Sequence, residues 1–580
     1  MPKARGMSFI RLCAAAAALV LASCAPAPAT VETPGSAPVA HSPVAPFVIA
    51  ANPLAAQAGM AVLENGGSAA DAAVAVQAML SLVEPQSSGV GGGAFLNYYD
   101  AASGNVTIYD GRETAPAQAS RTMFLNSDGE PLDYGDAVIS GRATGVPGAV
   151  AALAMLHEEH GTLAWSGLFD DAIRRADEGF IISPRLGRFL GRDFPQLSQP
   201  DAAAYFARPD GSRMQAGDRL QNEAYANFLR RLAANGIAAL YEGSTAAQIV
   251  QRTRAAPRGG TMTMADMANY RPAKRQPVCN GWREYRVCAP PPPSSGAAML
   301  ELLALLERTD IASRGPDDPQ AWYLFAEASR LMYADRDAYF GDGDFVDVPV
   351  AGLLDPAYLD ARATLIGPRA AENVEPGRPA GAELVMEDLT LEPAGTSHFV
   401  VRDRHGNVLS ITTTVESIFG SGRMVDGFFL NNQLTDFAFN PLQPNGDDAP
   451  NAVAPGKRPR SSMVPLILLD SEGDFAGAIG SAGGNSIPAY VGKTLVAAVD
   501  WGLPMQQALA QPNLVARGNR IGGEVSAFGP AIVQGLAERG IDLEPGQGED
   551  SGVHAVLIRN GRVDGGYDPR REGVVLVGEP

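Results

Sequence analysis

Two alanine-rich segments near the start of the chain, residues 53–65 and 69–83, carry apolar side chains at helical spacing and are separated by Gly66 and Gly67. They predict two consecutive helices. The period then changes: Ala94–Tyr99 and Asn105–Tyr109 alternate like paired strands, and the glycine run 89–93 before them reads as a tight turn. Helical patterns fill roughly 145–255 and 295–335, including one helix starting at Pro147 and ending near Gly161. Strand patterns return at 397–415, 463–469, 475–479 and 553–559, and a helix with Pro488 in its first turn is predicted over 486–499. Strands toward both ends with helices between them permit a sheet sandwich covered by helices.

One strand pair carries candidate chemistry. Glu392-Pro393-Ala394-Gly395 cannot be helical, Thr396 then opens a strand, and Asp403–Asn407 forms a hairpin turn before Val408–Val415. With the hairpin centred on His405, Thr396 faces Thr414 across the ladder. Glu416, two residues further, would share that face. A threonine hydroxyl needs a base to become a nucleophile. Cutting Gly395–Thr396 would create one, an α-amine of ordinary pKa about 7.7–8.0. Gly395, lacking Cβ, suits the strained geometry of such a cut. From the hairpin alone, a strand-starting threonine with no chemistry is the favoured reading.

Composition narrows the setting. A net charge of −19 over 580 residues disfavours nucleic-acid binding, which needs clustered Lys and Arg. The first 23 residues combine Lys3, Arg5 and Arg11 with the apolar stretch 12–22, a signal peptide too short to span a membrane. Leu21-Ala22-Ser23-Cys24 looks like a bacterial lipobox, implying lipid on Cys24 and a periplasmic, outer-membrane-anchored protein; a plain secretory cut near Ala29 competes. Residues 24–45 read as a flexible tether. Of four cysteines, Cys13 leaves with the signal and Cys24 carries lipid, so Cys279 and Cys288 are predicted to pair. His157 and His160 stand three residues apart, not the four of a zinc-protease helix, and no metal is predicted. The glycine run 89–93 lacks both nucleotide-binding spacing and a phosphate-loop lysine.

The segments GTSHFVVRDRHGNVLSITTTVESIFGSG, FFLNNQLTDF, KRPRSSMVP and GSAGG occur in order, with NPLAAQAGMAVLENGGSAADAAVAV, GVGGGAF, DGRETAP and PPPSSG before them and GGYDPRREG after. Together they resemble the γ-glutamyltransferase (γ-glutamyltranspeptidase) family of N-terminal nucleophile hydrolases, over about residues 46–575. The resemblance implies an α+β fold, a four-layer αββα sandwich. It implies autocleavage into a large fragment, 46–395, and a small one, 396–580, that stay together as a heterodimer. No cofactor is implied.

Carried onto this sequence, the resemblance makes Thr396 the nucleophile and Thr414 the residue that orients it. Gly483 and Gly484 supply backbone N–H groups to the oxyanion. Arg112, Ser461 and Ser462 bind the donor's α-carboxylate, and Glu416, Gln433 and Asp436 face its α-ammonium. The implied reaction is γ-glutamyl transfer from glutathione or related compounds through an ester on Thr396. Water is favoured as acceptor because 438–450, where many transpeptidases carry a lid tyrosine, offers only Phe439. Cephalosporin or glutaryl acylation and poly-γ-glutamate processing are the alternatives within the family.

Overall fold

The computed structural model describes residues 45–382, 388, 390–443, 446–546 and 551–579. The signal segment, Cys24 and the tether up to residue 44 lie outside the described residues. Two antiparallel sheets organise the chain. The first runs Val574–Val577, Phe47–Ala50, Gly395–Arg402, Val408–Glu416, Gly93–Asp100, Asn105–Gly111, Ala273–Arg275. The second runs Arg562–Tyr567, His554–Arg559, Phe475–Gly480, Leu466–Leu469, Tyr285–Ala289, Val278–Trp282.

Alternation along the strands sets the layers. Phe47, Ile49 and Val400 meet Ile467, Leu469, Ala478 and Val556 between the sheets. Their neighbours Val48, Ala50, Phe399 and Val401 face outward to helices Pro53–Glu64, Ala69–Val83 and Ala149–His160. Leu466, Leu468 and Leu557 face the opposite way, to Gly296–Glu307, Pro319–Tyr339 and Ile487–Leu495. The result is the αββα arrangement. Because central strands are buried on both faces, Phe47–Ala50 is a continuous apolar run without alternation.

Local chemistry fixes the element ends. Ser68 and Asp71 form a reciprocal capping box at the second helix, and Gly66 has φ +89° in the turn before it. The helix expected from Pro147 starts at Ala149, because the N–H groups of Gly148 and Ala149 both donate to Gly92 O. The helical span 145–255 is broken into shorter helices, with Phe180–Ile181 and Arg219–Leu220 pairing between them. The helix expected over 486–499 is α from Ile487 to Leu495 and widens to a π-helix over Val496–Asp500.

Cys279 and Cys288 are cross-strand partners joined by a disulfide, with Cα atoms 4.1 Å apart. His157 and His160 are occupied separately. His157 Nε2 lies 3.0 Å from Leu163 O, and His160 Nε2 2.9 Å from the Tyr109 hydroxyl. Among the described residues no cluster of His, Cys, Asp or Glu is arranged to hold a metal ion. No described helix is long and apolar enough to cross a membrane.

Candidate active site

The hairpin Gly395–Arg402 and Val408–Glu416 pairs Arg402 with Val408 and Thr396 with Thr414 in unbroken register. Its turn is held by Asp403, whose Oδ1 accepts from the N–H groups of His405 and Asn407, and Gly406 alone of Gly406 and Asn407 has positive φ. At the open end the two threonine hydroxyls stand 3.2 Å apart. Thr414 Oγ1 also donates to Gly395 O at 2.7 Å and accepts from Glu416 N at 2.8 Å.

The hairpin's neighbours must come close. A Cβ on Gly92 would lie 1.9 Å from Thr414 O, and one on Gly91 2.2 Å from Phe429 O. The glycine run 89–93 therefore serves as a close-packed turn against the threonine strand. Gly395 is needed for the same reason: its Cβ would lie 2.3 Å from the carbonyl oxygens of both Glu416 and Ser417. Close packing, not a left-handed φ, fixes glycine there.

Simple alternation does not position Glu416. A bulge after Thr414 pairs Glu416 with Gly395, and its φ is +79°. This irregular backbone still brings the carboxylate into a cavity with Thr396 and Thr414. Arg112, Gln433, Asp436, Ser461, Ser462 and Gly484 line the same cavity. Gly483, φ +131°, precedes Gly484 in the turn between strand Phe475–Gly480 and helix Ile487–Leu495. Gly484 lies so near the chain ahead of Gly395 that a Cβ on it would be 1.9 Å from Glu392 O.

Three groups at one end of the cavity form an acceptor cluster. Gln433 Nε2 donates to Asp436 Oδ2 at 2.6 Å, Gln433 Oε1 is buried without a hydrogen-bond partner, and the Glu416 and Asp436 carboxyl groups hydrogen-bond each other. Glu416 accepts from Asn432 Nδ2 and, at 3.1 Å, from the Tyr134 hydroxyl. Burial, with Glu392 adding to it and Arg112 opposing, pushes Asp436 up to about 6. Burial and the neighbouring Asp436 carboxylate raise Glu416 well above the ordinary range. Two carboxyl groups and an amide oxygen thus converge with too little positive charge around them.

Arg112 lines the cavity and is also held from within the chain through Nε and Nη2. Its guanidinium donates to Asp436 Oδ2 and Arg460 O, both at 2.6 Å, and to Pro459 O at 3.2 Å. Ser461 Oγ accepts from Met463 N at 3.2 Å. Ser462 is occupied from within the chain: its N–H and hydroxyl donate to Glu392 Oε2 at 2.9 and 2.5 Å. With Glu392 and Pro393 among its walls, the cavity has about 20 Å³ of free space, roughly one water. In the continuous chain the site is closed.

Sequence reasoning missed several contributors. Glu392 looked like part of a helix-breaking run, and Arg336 sits inside helix Pro319–Tyr339 with no local mark of its role. Arg460 adjoins the two serines, which was the available signal. Tyr134 comes from a short helix, Tyr134–Val138, distant in sequence, and packs in an aromatic group with Phe439, itself stacked on Phe124 at 4.6 Å. Arg571 donates to Thr396 O at 3.3 Å.

Comparison with known proteins agrees with this geometry. The family model described as Gamma-glutamyltranspeptidase matches residues 55–578. The glutathione hydrolase proenzyme of Bacillus subtilis (strain 168) is 35% identical over 480 residues, covering 81% of this chain and 80% of that protein. The acylase ACY 1 proenzyme of Pseudomonas sp. (strain SE83) is 33% identical over 536 residues, covering 91% and 92%. The crystal structure of cephalosporin acylase from Bacillus halodurans superimposes with a TM-score of 0.81 at 26% identity, covering 95% of this chain and 99% of that one. The chain belongs to the gamma-glutamyltranspeptidase family.

Proposed function

We propose that this protein is a self-cleaving γ-glutamyl hydrolase and transferase acting on glutathione and related γ-glutamyl amides. The observation that carries the reading is the buried acceptor cluster of Glu416, Gln433 and Asp436 in the cavity that holds Thr396, where Gln433 Oε1 has no donor and the two carboxyl groups share one hydrogen bond. Acceptors without donors fit an ammonium group, and a γ-glutamyl head carries one beside its carboxylate.

Processing begins with Thr396 Oγ adding to the Gly395 carbonyl carbon. Thr414 takes the Thr396 proton while passing its own to Gly395 O, along the hydrogen bonds already present. Collapse breaks the C–N bond, the amide nitrogen takes the proton, and an ester joins Gly395 to Thr396 Oγ. Water cleaves that ester, leaving a carboxylate on Gly395 and a free α-amine on Thr396. In turnover this amine is the base. Thr396 attacks the γ-carbonyl, Gly483 and Gly484 N–H groups stabilise the oxyanion, the amine of the leaving group departs protonated, and water resolves the γ-glutamyl ester. An acceptor amine can replace water, and the absence of a tyrosine in 438–450 favours water.

The reading includes export: removal of 1–23, lipid on Cys24 and attachment to the outer membrane on its periplasmic side. Cys24→Ser should then release the protein into the soluble periplasmic fraction.

Mass spectrometry of the purified protein should give a fragment beginning at Thr396, and Thr396→Ala should give one uncut, inactive chain. Thr396→Ser should be cut slowly and keep some turnover. A Thr396→Ala protein that still divides at this bond contradicts the scheme. A glutaryl or cephalosporin acylase is the second reading, motivated by similarity to proteins named acylases. A glutaryl group has no ammonium for Asp436 and Gln433, so γ-glutamyl 4-nitroanilide should be the better substrate than glutaryl 4-nitroanilide.

A further inference from the structure

The acidic end of the cavity is braced by a residue from far up the chain. Tyr134 opens the short helix Tyr134–Val138, which Asp133 caps by accepting from Gly135 N at 2.9 Å. The Tyr134 hydroxyl stands 3.1 Å from Glu416 Oε1, 3.4 Å from Glu416 Oε2 and 3.1 Å from Ser417 Oγ. Burial, with the Glu416 carboxyl adding to it, raises the phenol well above its ordinary 10, so the hydroxyl keeps its proton and can donate.

Glu416 needs such an anchor. It follows the bulge after Thr414 with φ +79°, so the strand ladder does not fix the direction of its side chain. Asp436 shares a hydrogen bond with it and disfavours its ionisation. Two donors act against that effect, Asn432 Nδ2 at Oε2 and the Tyr134 hydroxyl at Oε1. Asn432 is 16 residues from Glu416, whereas Tyr134 is 282 residues away.

The backbone behind Tyr134 is tied to the turn that carries Gln433 and Asp436. Ala137 of its helix shares one small core with Phe124, Leu434 and Phe437, and Phe439 packs against that core. The Tyr134 and Phe439 rings are parallel to within 16° with centroids 6.4 Å apart, and Phe439 stacks on Phe124 at 4.6 Å. The stack fixes the ring, and the ring fixes the hydroxyl. Arg112 and Glu392 act on the carboxyl pair from the Asp436 side, while Asp136 on the helix of Tyr134 pairs with Arg258 at the surface.

We propose that Tyr134 is a positioning residue for the donor's ammonium, holding the Glu416 carboxyl ionised and turned into the cavity. The inference rests on the γ-glutamyl reading and adds to it a residue contributed by the large fragment. Tyr134 acts through Glu416 and touches no reacting atom. A hydrogen bond to a carboxylate favours its charged form, and the charged form is the one that attracts an ammonium.

The test uses processed enzyme and γ-glutamyl 4-nitroanilide. Tyr134→Phe keeps the ring stack and removes only the hydroxyl. It should raise KM about three- to tenfold with kcat little changed, and the rise of KM on acidification should begin at a higher pH than in the unaltered enzyme. Added to Glu416→Ala, the same substitution should change KM no further, because its route to the donor is gone. An unchanged KM and pH profile in Tyr134→Phe, or the same rise in KM with and without Glu416, overturns the proposal. The pH profile needs no Glu416 variant, so it decides the matter even where Glu416→Ala fails to process. If unaltered processed enzyme hydrolyses no γ-glutamyl 4-nitroanilide at all, the proposed function fails, and this inference with it.

Discussion

The Thr414 hydroxyl lies 2.7 Å from the carbonyl oxygen of Gly395, the acyl residue of the Gly395–Thr396 bond. A hydroxyl has one proton to give. Because Thr414 spends its proton on Gly395 O, the 3.2 Å contact with Thr396 must run from Thr396 to Thr414. On the proposed scheme one side chain thus polarises the carbonyl and receives the proton of the attacking hydroxyl. Thr414→Val should slow self-cleavage by roughly a hundredfold, the scale of losing one oxyanion donor. Thr414→Ser should cut at a rate near that of the unaltered chain. A denaturing-gel time course after refolding measures both.

If Asp436 holds the donor's ammonium as proposed, it sets a pH limit on donor binding. Its pKa is raised to about 6, chiefly by burial, so the carboxylate that attracts the donor's ammonium is lost as pH falls through that value. KM for γ-glutamyl 4-nitroanilide should rise steadily from pH 7 down to 5. Asp436→Asn should show a high KM across the whole range, without the inflection. Steady-state kinetics in buffers of constant ionic strength gives the comparison.

Glu113 couples stability to pH in the sense opposite to a salt-bridged acid. It is fully buried, neither carboxyl oxygen has a hydrogen-bond partner, and burial pushes it up to about 8 against a smaller opposing effect of Arg112. In the unfolded chain it ionises near its ordinary 4.5. Its contribution to stability is therefore complete below about 4.5 and is lost as pH rises toward about 8, by up to about 1.4 kcal/mol per pH unit. Glu113→Gln should gain on the unaltered protein with rising pH across that window. Urea unfolding of the uncut Thr396→Ala background at pH 5, 6.5 and 8 tests it.

The Cys279–Cys288 bridge closes a loop of sequence separation 9 between strands that already pair. A loop that short restrains the unfolded chain less than the ~3 kcal/mol of a 15-residue loop. Replacing both cysteines by serine should lower stability by less than that and leave kcat and KM unchanged. Denaturant unfolding with a parallel assay separates the two effects.

The parts legible from sequence were those governed by local period and turn chemistry. Helices 53–65 and 69–83 and the strands around 94–109 are present within a few residues of their predicted ends. The Thr396–Thr414 register followed from a symmetric five-residue turn with no insertion on either strand. Prediction failed where long-range packing overrides local pattern. Glu416 reaches the cavity through a bulge that alternation cannot anticipate. Arg336 is a helical arginine whose partner Glu392 lies 56 residues away. Tyr134 meets Glu416 across 282 residues. Partners so far apart leave no spacing to read, because the fold alone brings them together.

Strand order has a mechanical consequence for the cut protein. In the first sheet, Phe47–Ala50 lies between Val574–Val577 and Gly395–Arg402, while Val408–Glu416 borders Gly93–Asp100. The proposed scission at Gly395–Thr396 would thus yield two polypeptides woven through one hydrogen-bonded ladder. Neither can slide free without unzipping the centre of the domain. Specific activity should hold on dilution to nanomolar concentration, and mixing the two pieces after separation in denaturant should restore it slowly or not at all.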